Sequence, residues 1–390
     1  MRLEDCEIRK VRVGVGRWWV APILLGCACW WLIVSVPGAA AQARARGRLE
    51  EIVRFGDLDG PSALTRVSRV VLVDTLVFIA QPVDRSIRVI STRGQPVGEF
   101  GMKGDGPGEF QRIDFVGYVD GCIVVVDLQA GRTTYFGFDG GLINTERTPT
   151  PPARIPFAWF PIGITPGRYV IAEGSVGGVV DGDPRVPVVL ATAHREVVDT
   201  LTWYSLRARG VSAHTETRHT GFPNPLHAEP RYAVSNNGKY FGEALGTGAE
   251  LTVRWFDTTQ RSWRERVLPL PGIEVPEAYS DSLRSVFHRV LSARGYTRSQ
   301  IREAYILPSV VPAVDLIEVM SDGAVWMRQA EFPRGDWSTW HRMDQGGEEW
   351  LTIQAPRSLH IMDQQDDVIW GRLEDEFGVH YVVGLSVVRE

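Results

Sequence analysis

The chain has 390 residues, a formal charge of −5 at neutral pH, 44% hydrophobic residues, 40 glycines, 24 prolines and 13 tryptophans. That is ample length for a large core and the composition of a turn-rich β protein. The 47 acidic residues outnumber the 42 basic ones, and beyond Arg44, Arg46 and Arg48 no basic tract occurs, which excludes electrostatic capture of nucleic acid on a concentrated positive face.

The N-terminus carries Arg2, Arg9, Lys10, Arg12 and Arg17, then an uncharged run from Trp18 to Val36, then small residues from Gly38 to Ala43. This pattern predicts a signal peptide over 1–43, with cleavage after Ala41 or Ala43, or an uncleaved signal anchor, since the run is long enough to span a bilayer. It places the remainder, 44–390, outside the cytoplasm, periplasmic or secreted, with a membrane link only through that leader. Three of the four cysteines belong to the leader, and Cys122 lies in an apolar strand, where it suits a small core side chain.

From Leu76 to Phe110 the sequence reads as strands separated by a turn and ended by a glycine-rich segment. Leu76–Gly94 overlays Cys122–Gly140 at an offset of 46 without a gap, and the same offset reaches Arg168–Glu173. Aligning the later turns Asn237-Gly238, Asp322-Gly323 and Asp366-Asp367 gives one column, Phe78, Val124, Val170, Phe241, Trp326 and Trp370, apolar in every copy. Short Asn-Gly and Asp-Gly turns between apolar strands are hairpin signals. Small sheets that cannot bury their faces alone become stable by packing around an axis. The expectation is all-β: a six-bladed β-propeller of one domain. Leu49–Phe55 would serve as the outer strand of the last blade, removing an open edge.

The spacing of the column then widens, from 46 to 71 and later to 85. The first excess falls on Thr202–Glu229, read as a polar loop containing His214, His219 and His227. The second falls on about 275–306, between blades four and five. There Tyr279, Leu283, Val286, Phe287, Val290 and Leu291 form a helical stripe opened by Pro276 and stopped by Gly295, and Thr297-x-x-Gln300 is a capping box for a second short helix.

The segment Gly101–Phe110, GMKGDGPGEF, echoed by Asp59-Gly60-Pro61, resembles the loop between blades of NHL-repeat propellers. The resemblance implies a six-bladed architecture. Relatives in the wider fold range from binding modules to lactonases and lyases, so it selects no activity.

Residues entering the inner strands supply the channel-mouth candidates: Arg66, Arg112, Asp114, Arg231 and His360. These columns do not gather three or four zinc or calcium ligands, and His214, His219 and His227 form only a loosely spaced metal candidate. Trp337 and Trp340 suggest an aromatic platform. With no assembled catalytic set, the sequence points to a non-catalytic, cofactor-free, monomeric module that binds a protein, peptide or glycan through its loop face and channel mouth. The alternative is a metal-dependent hydrolase or lyase of the propeller lactonase kind, with Asp114, Arg231 and His360, joined by the loop histidines, converging at the axis.

Overall fold

The computed structural model describes residues 44–148, 160–165, 168–172, 178–180, 183–192, 196–205, 210–215, 218–223, 226, 230–304 and 307–390. Residues 1–43, the expected leader, and His227 and Tyr305 lie outside them. Apart from one eight-stranded sheet that takes in the N-terminal strand, the described chain is built of small antiparallel sheets laid down in sequence order, a propeller-like arrangement.

Arg69–Val73, Leu76–Gln81, Ser86–Ser91 and Pro96–Phe100 make the first sheet, and Phe115–Val119, Cys122–Asp127, Arg132–Phe136 and Leu142–Arg147 the second. The pairs Val73–Leu76 and Val119–Cys122 leave two-residue loops, Asp74-Thr75 and Asp120-Gly121. Asp120 and Gly121 both take positive φ, 49° and 80°, as a tight turn matched to strand twist requires. Three residues beyond each such turn lies the aligned column: Phe78, Val124, Phe241 and Trp326 are 0% exposed and Trp370 is 1%. Each large side chain buried there stabilises the fold by about 2–3 kcal/mol.

The glycine-rich segment between the first two sheets is a packed joint. Phe110 N donates to Met102 O at 2.7 Å, Gly106 N donates to the Glu109 carboxylate at 2.8 Å, and the Phe110 ring packs edge-on against Phe136.

The third sheet combines Phe160–Thr165, Arg168–Ala172, Gly178–Val180, Asp183–Thr192 and Val197–Ser205. Where a polar loop was expected, the chain forms strands. Val197–Ser205 runs through Thr202, and Gly210–Thr215 pairs with Arg218–Pro223 as a hairpin in which His214 stands opposite His219. The reason lies in the alternating, β-branched character of Val211 to Thr220, which suits a ladder better than a loop.

Arg231–Val234, Tyr240–Leu245, Leu251–Asp257 and Ser262–Leu268 make the fourth sheet. A short ribbon, Ile273–Glu274 paired with Val310–Val311, then brackets helices α1 (Glu277–Ser292) and α2 (Arg298–Ala304). At the start of α2 the Thr297 N–H donates to Gln300 Oε1 at 2.8 Å and Gln300 N–H to Thr297 Oγ1 at 3.3 Å, the two reciprocal bonds of a capping box. The apolar stripe of α1 is divided: Phe287 and Leu291 pack on Tyr296 and Ile301, Tyr279 and Leu283 pack towards Val275 and Val311, and Val286 and Val290 remain exposed.

The remaining strands share one eight-stranded sheet. Val314–Val319, Val325–Gln329, Trp337–Met343 and Trp350–Pro356 form one half, and His360–Gln365, Val368–Glu374 and His380–Arg389 the other. Arg44–Phe55 joins them. It pairs antiparallel with His380–Arg389 from Gly47 to Phe55, and its first residues, Arg44 to Gly47, pair parallel with Trp350–Ile353. Gly47 is the pivot, because a Cβ there would lie 3.1 Å from Leu351 Cδ1 and 3.2 Å from Val388 O. The N-terminal strand therefore closes the last group of strands and also ties it to the group before.

The leading strand of each group lies beside the next: Arg69–Val73 by Phe115–Val119, then Phe160–Thr165, Arg231–Val234, Val314–Val319, His360–Gln365 and back to Arg69–Val73. These strands surround the axis.

Candidate functional site

Asn236 organises that axis. It follows the strand Arg231–Val234, and its amide group reaches across the centre: Nδ2 lies 2.9 Å from Val70 O, 3.1 Å from Met362 O and 2.7 Å from Asp363 Oδ2. Its Oδ1 accepts from Arg69 Nε at 2.6 Å, and its carbonyl accepts from Tyr118 N at 2.7 Å. Gly117 makes that last approach possible, since a Cβ there would stand 2.8 Å from the same oxygen.

Asp363 is buried beneath Asn236 and also accepts from the Leu72 and Gln364 N–H groups, each at 2.8–2.9 Å. A bulge between Ile361 and Asp363 turns it towards the axis. Burial pushes its carboxyl up to about 6, against the opposing pull of Asn236, the two backbone donors and the Arg69 charge. Arg69 also donates to Val234 O at 3.1 Å and pairs with Glu318 at 3.4 Å, whose other oxygen lies 2.9 Å from His360 Nε2. Glu318 is 5% exposed, and the His360 side chain is 27% exposed. The centre is thus a satisfied polar network that pins strands from different sheets, with one imidazole edge open to solvent and a carboxylate able to hold its proton.

The other mouth candidates are divided between separate places. Arg112 pairs with Asp114 at 2.6 Å, and Asp114 accepts Leu128 N at 2.8 Å, so this carboxylate is held within its own sheet. Arg66 is exposed. Arg231 lines a small cavity with Asp315, Glu331 and Arg334. Asp315 pairs with Arg328 at 2.7 Å and Arg357 at 3.5 Å, and Arg357 reaches Glu331 at 3.4 Å. Burial pulls the Arg357 guanidinium below its ordinary value. Among the described residues no group of three or more His, Cys, Asp or Glu side chains is placed to hold a metal ion.

The aromatic platform needs a correction. Trp340 is 0% exposed, buried among the strands of its sheet with Arg328 over its ring, and offers no surface. Trp337 is 60% exposed. It stands at the rim of a cleft of about 780 Å³, where Arg44–Phe55 leaves Trp350–Pro356 to follow His380–Arg389. Leu49, Ile353, Leu359 and Leu385 line it, continuous with the core of the eight-stranded sheet. The lining also carries Arg46, Arg48 and Arg54 together with Glu51 and Glu390. Arg48 pairs with Glu50 and Arg54 with Glu51, which lowers the Glu51 carboxyl and raises the Arg54 guanidinium. Arg46 is exposed and forms no ion pair among the described residues.

No family model matches the chain, and no curated protein does. Among solved structures it is similar to a Bacteroides fragilis protein named as a candidate exported protein, at 12% identity, 88% of this chain, 99% of that chain and a TM-score of 0.44. A DUF4221 family member from Bacteroides vulgatus is similar at 9% identity, 89% and 99% coverage and a TM-score of 0.43. The Dos1 propeller is similar at 8% identity, 80% and 75% coverage and a TM-score of 0.33. These likenesses are loose, and the fold and site stand on this chain's own strand pairing and side-chain contacts.

Proposed function

We propose that residues 44–390 form a single exported six-bladed propeller, with blades of the NHL kind, that acts as a monomeric, non-catalytic binding module. The closed sequence of leading strands supports the blade count, and the glycine-rich joint supports the kinship. The basic and apolar leader supports export. Mass spectrometry of the protein recovered from its producing host is expected to show a chain starting at Gln42 or Arg44. A chain retaining Trp18 to Val36 would mean that the leader stays as an anchor.

The observation that carries the binding reading is the Trp337 cleft. A solvent-facing indole beside an aliphatic floor and arginines fits an extended peptide with an apolar anchor next to an acidic residue, since aromatic and arginine side chains dominate binding energy at interfaces. An aliphatic floor suits a peptide side chain better than a hydroxyl-rich glycan. At the axis, by contrast, the polar atoms of Asn236 and Asp363 are already joined to each other and to the neighbouring strands.

Selection of a displayed random-peptide library on residues 44–390 is expected to enrich peptides pairing an aliphatic or aromatic residue with Asp or Glu. Trp337→Ala is expected to weaken the enriched peptides by about tenfold or more, and Arg46→Glu to weaken the acidic ones selectively. Enrichment that survives both substitutions would place recognition elsewhere.

A further inference from the structure

We infer that the helical hairpin carries a second binding site, for a small amphipathic anion, in the cavity of about 420 Å³ between α1 and α2. Its lining has two parts. Phe287 and Ile301 supply an apolar side, Ile301 being 5% exposed and joined to Leu291 and Tyr296 in the small core between the helices. Arg284, Arg298 and Arg302 supply the charge. Arg284 shares its charge with Asp281 at 2.8 Å, whereas Arg298 and Arg302, one helical turn apart, form no ion pair among the described residues. No carboxylate of a described residue lines the cavity.

A second, independent feature points to a missing partner. His288 lines the same cavity, and its Nε2 is shielded from water with no hydrogen-bond partner among the described residues, while Nδ1 lies 3.3 Å from Ser292 Oγ. A ring nitrogen shielded in this way is destabilising unless something supplies the bond. Three guanidinium groups around one concavity repel one another, and an anion relieves that cost, with a turn of the His288 ring bringing Nε2 to the same head group. Guanidinium forks bind carboxylate or phosphate oxygens in pairs, and the apolar side selects ligands that carry a hydrocarbon body with that head. The volume lies within the range of small-molecule sites.

The cavity belongs to the insertion, away from the Trp337 cleft, so this site and the peptide reading stand or fall separately. The test is calorimetric titration of residues 44–390 with octanoate, octyl phosphate, octanol and octylammonium. The expected result is binding of octanoate, octyl phosphate or both, weakened about tenfold or more in Arg298→Glu/Arg302→Glu and weakened in His288→Phe, with octanol and octylammonium at least about tenfold weaker. Binding of only one of the anions assigns the head group as carboxylate or phosphate ester. Far-ultraviolet circular dichroism confirms that each variant keeps its helices, and Arg298→Gln serves in place of the double variant if that protein unfolds. The inference is overturned if neither anion binds at millimolar concentration, if octanol binds as well as octanoate, or if folded arginine variants bind unchanged.

Discussion

Replacing Asn236 by alanine is expected to lower the unfolding free energy by about 4 kcal/mol, among the largest effects of any single polar substitution in the chain. The loss is not that of one hydrogen bond. Without the Asn236 amide, Val70 O, Met362 O and the Asp363 carboxylate lose the two N–H bonds they share, and Arg69 Nε loses its acceptor. The adjacent Asn237 provides the contrast. Its Nδ2 donates to Ser321 O at 2.8 Å and its Oδ1 accepts from Ser235 Oγ in a part-buried turn, so Asn237→Ala is expected to cost about 1 kcal/mol. Urea unfolding of both variants decides the matter. Equal costs would mean that the axial network is not what holds the sheets in place.

The second large effect is a dependence on pH set by Asp363. Its folded value of about 6 lies above the ordinary 3.8 because burial outweighs the donors around it. The folded state therefore binds this proton more tightly than the unfolded state. The resulting stability is fully present below about pH 3.8 and is lost as pH rises through about 6. Other carboxylates act in the opposite sense: Arg54 holds Glu51 below its usual range, and the Val379 and Phe377 N–H groups do the same for Asp375, so their contributions fade in acid. The comparison with Asp363→Asn removes these shared terms. Going from about pH 7 to pH 5, wild type is expected to gain about 1 kcal/mol relative to the variant. The variant also carries a pH-independent cost of about 1–3 kcal/mol, because an amide cannot accept from both backbone donors and Asn236 at once. Parallel stability curves for the two proteins would show that Asp363 does not titrate in this window.

The repeat was legible because hairpin turns and burial write directly into sequence. Asp120-Gly121 and Asp322-Gly323 mark loops, and the residue three places on must fill the space between sheets, so the column through Phe78 and Trp326 could be aligned without coordinates. The capping box at Thr297 and Gln300 is local in the same way. The axial network is not legible from local pattern, because it depends on which residues meet across the ring. Its signal was nonetheless present. In the same alignment Glu318 falls in the column of Val70, Val116, Ile162, Ala233 and Met362, and Asp363 in that of Val71, Gly117, Gly163, Val234 and Val319. A single charge in an apolar column marks a buried group that needs partners.

The mouth candidates came from the neighbouring columns, where Asp114 and Arg112 satisfy each other locally. The Trp337 cleft was legible only as an exposed aromatic. Its floor arises from the double pairing of Arg44–Phe55, which begins earlier than the strand pattern of Leu49–Phe55 announces and swings from one partner to the other at Gly47. Trp340, three residues from Trp337 and identical in type, faces the interior because side chains alternate along the strand.

The claim that this chain binds peptides through that cleft is tested most directly by backbone hydrogen exchange on residues 44–390, with and without a peptide enriched by selection. The account predicts slowed exchange confined to the segments around Arg46 to Arg54 and Thr352 to Leu359, absent in Trp337→Ala. Protection concentrated instead around His360, Arg231 or the helical hairpin, with the Trp337 segments unchanged, would contradict it.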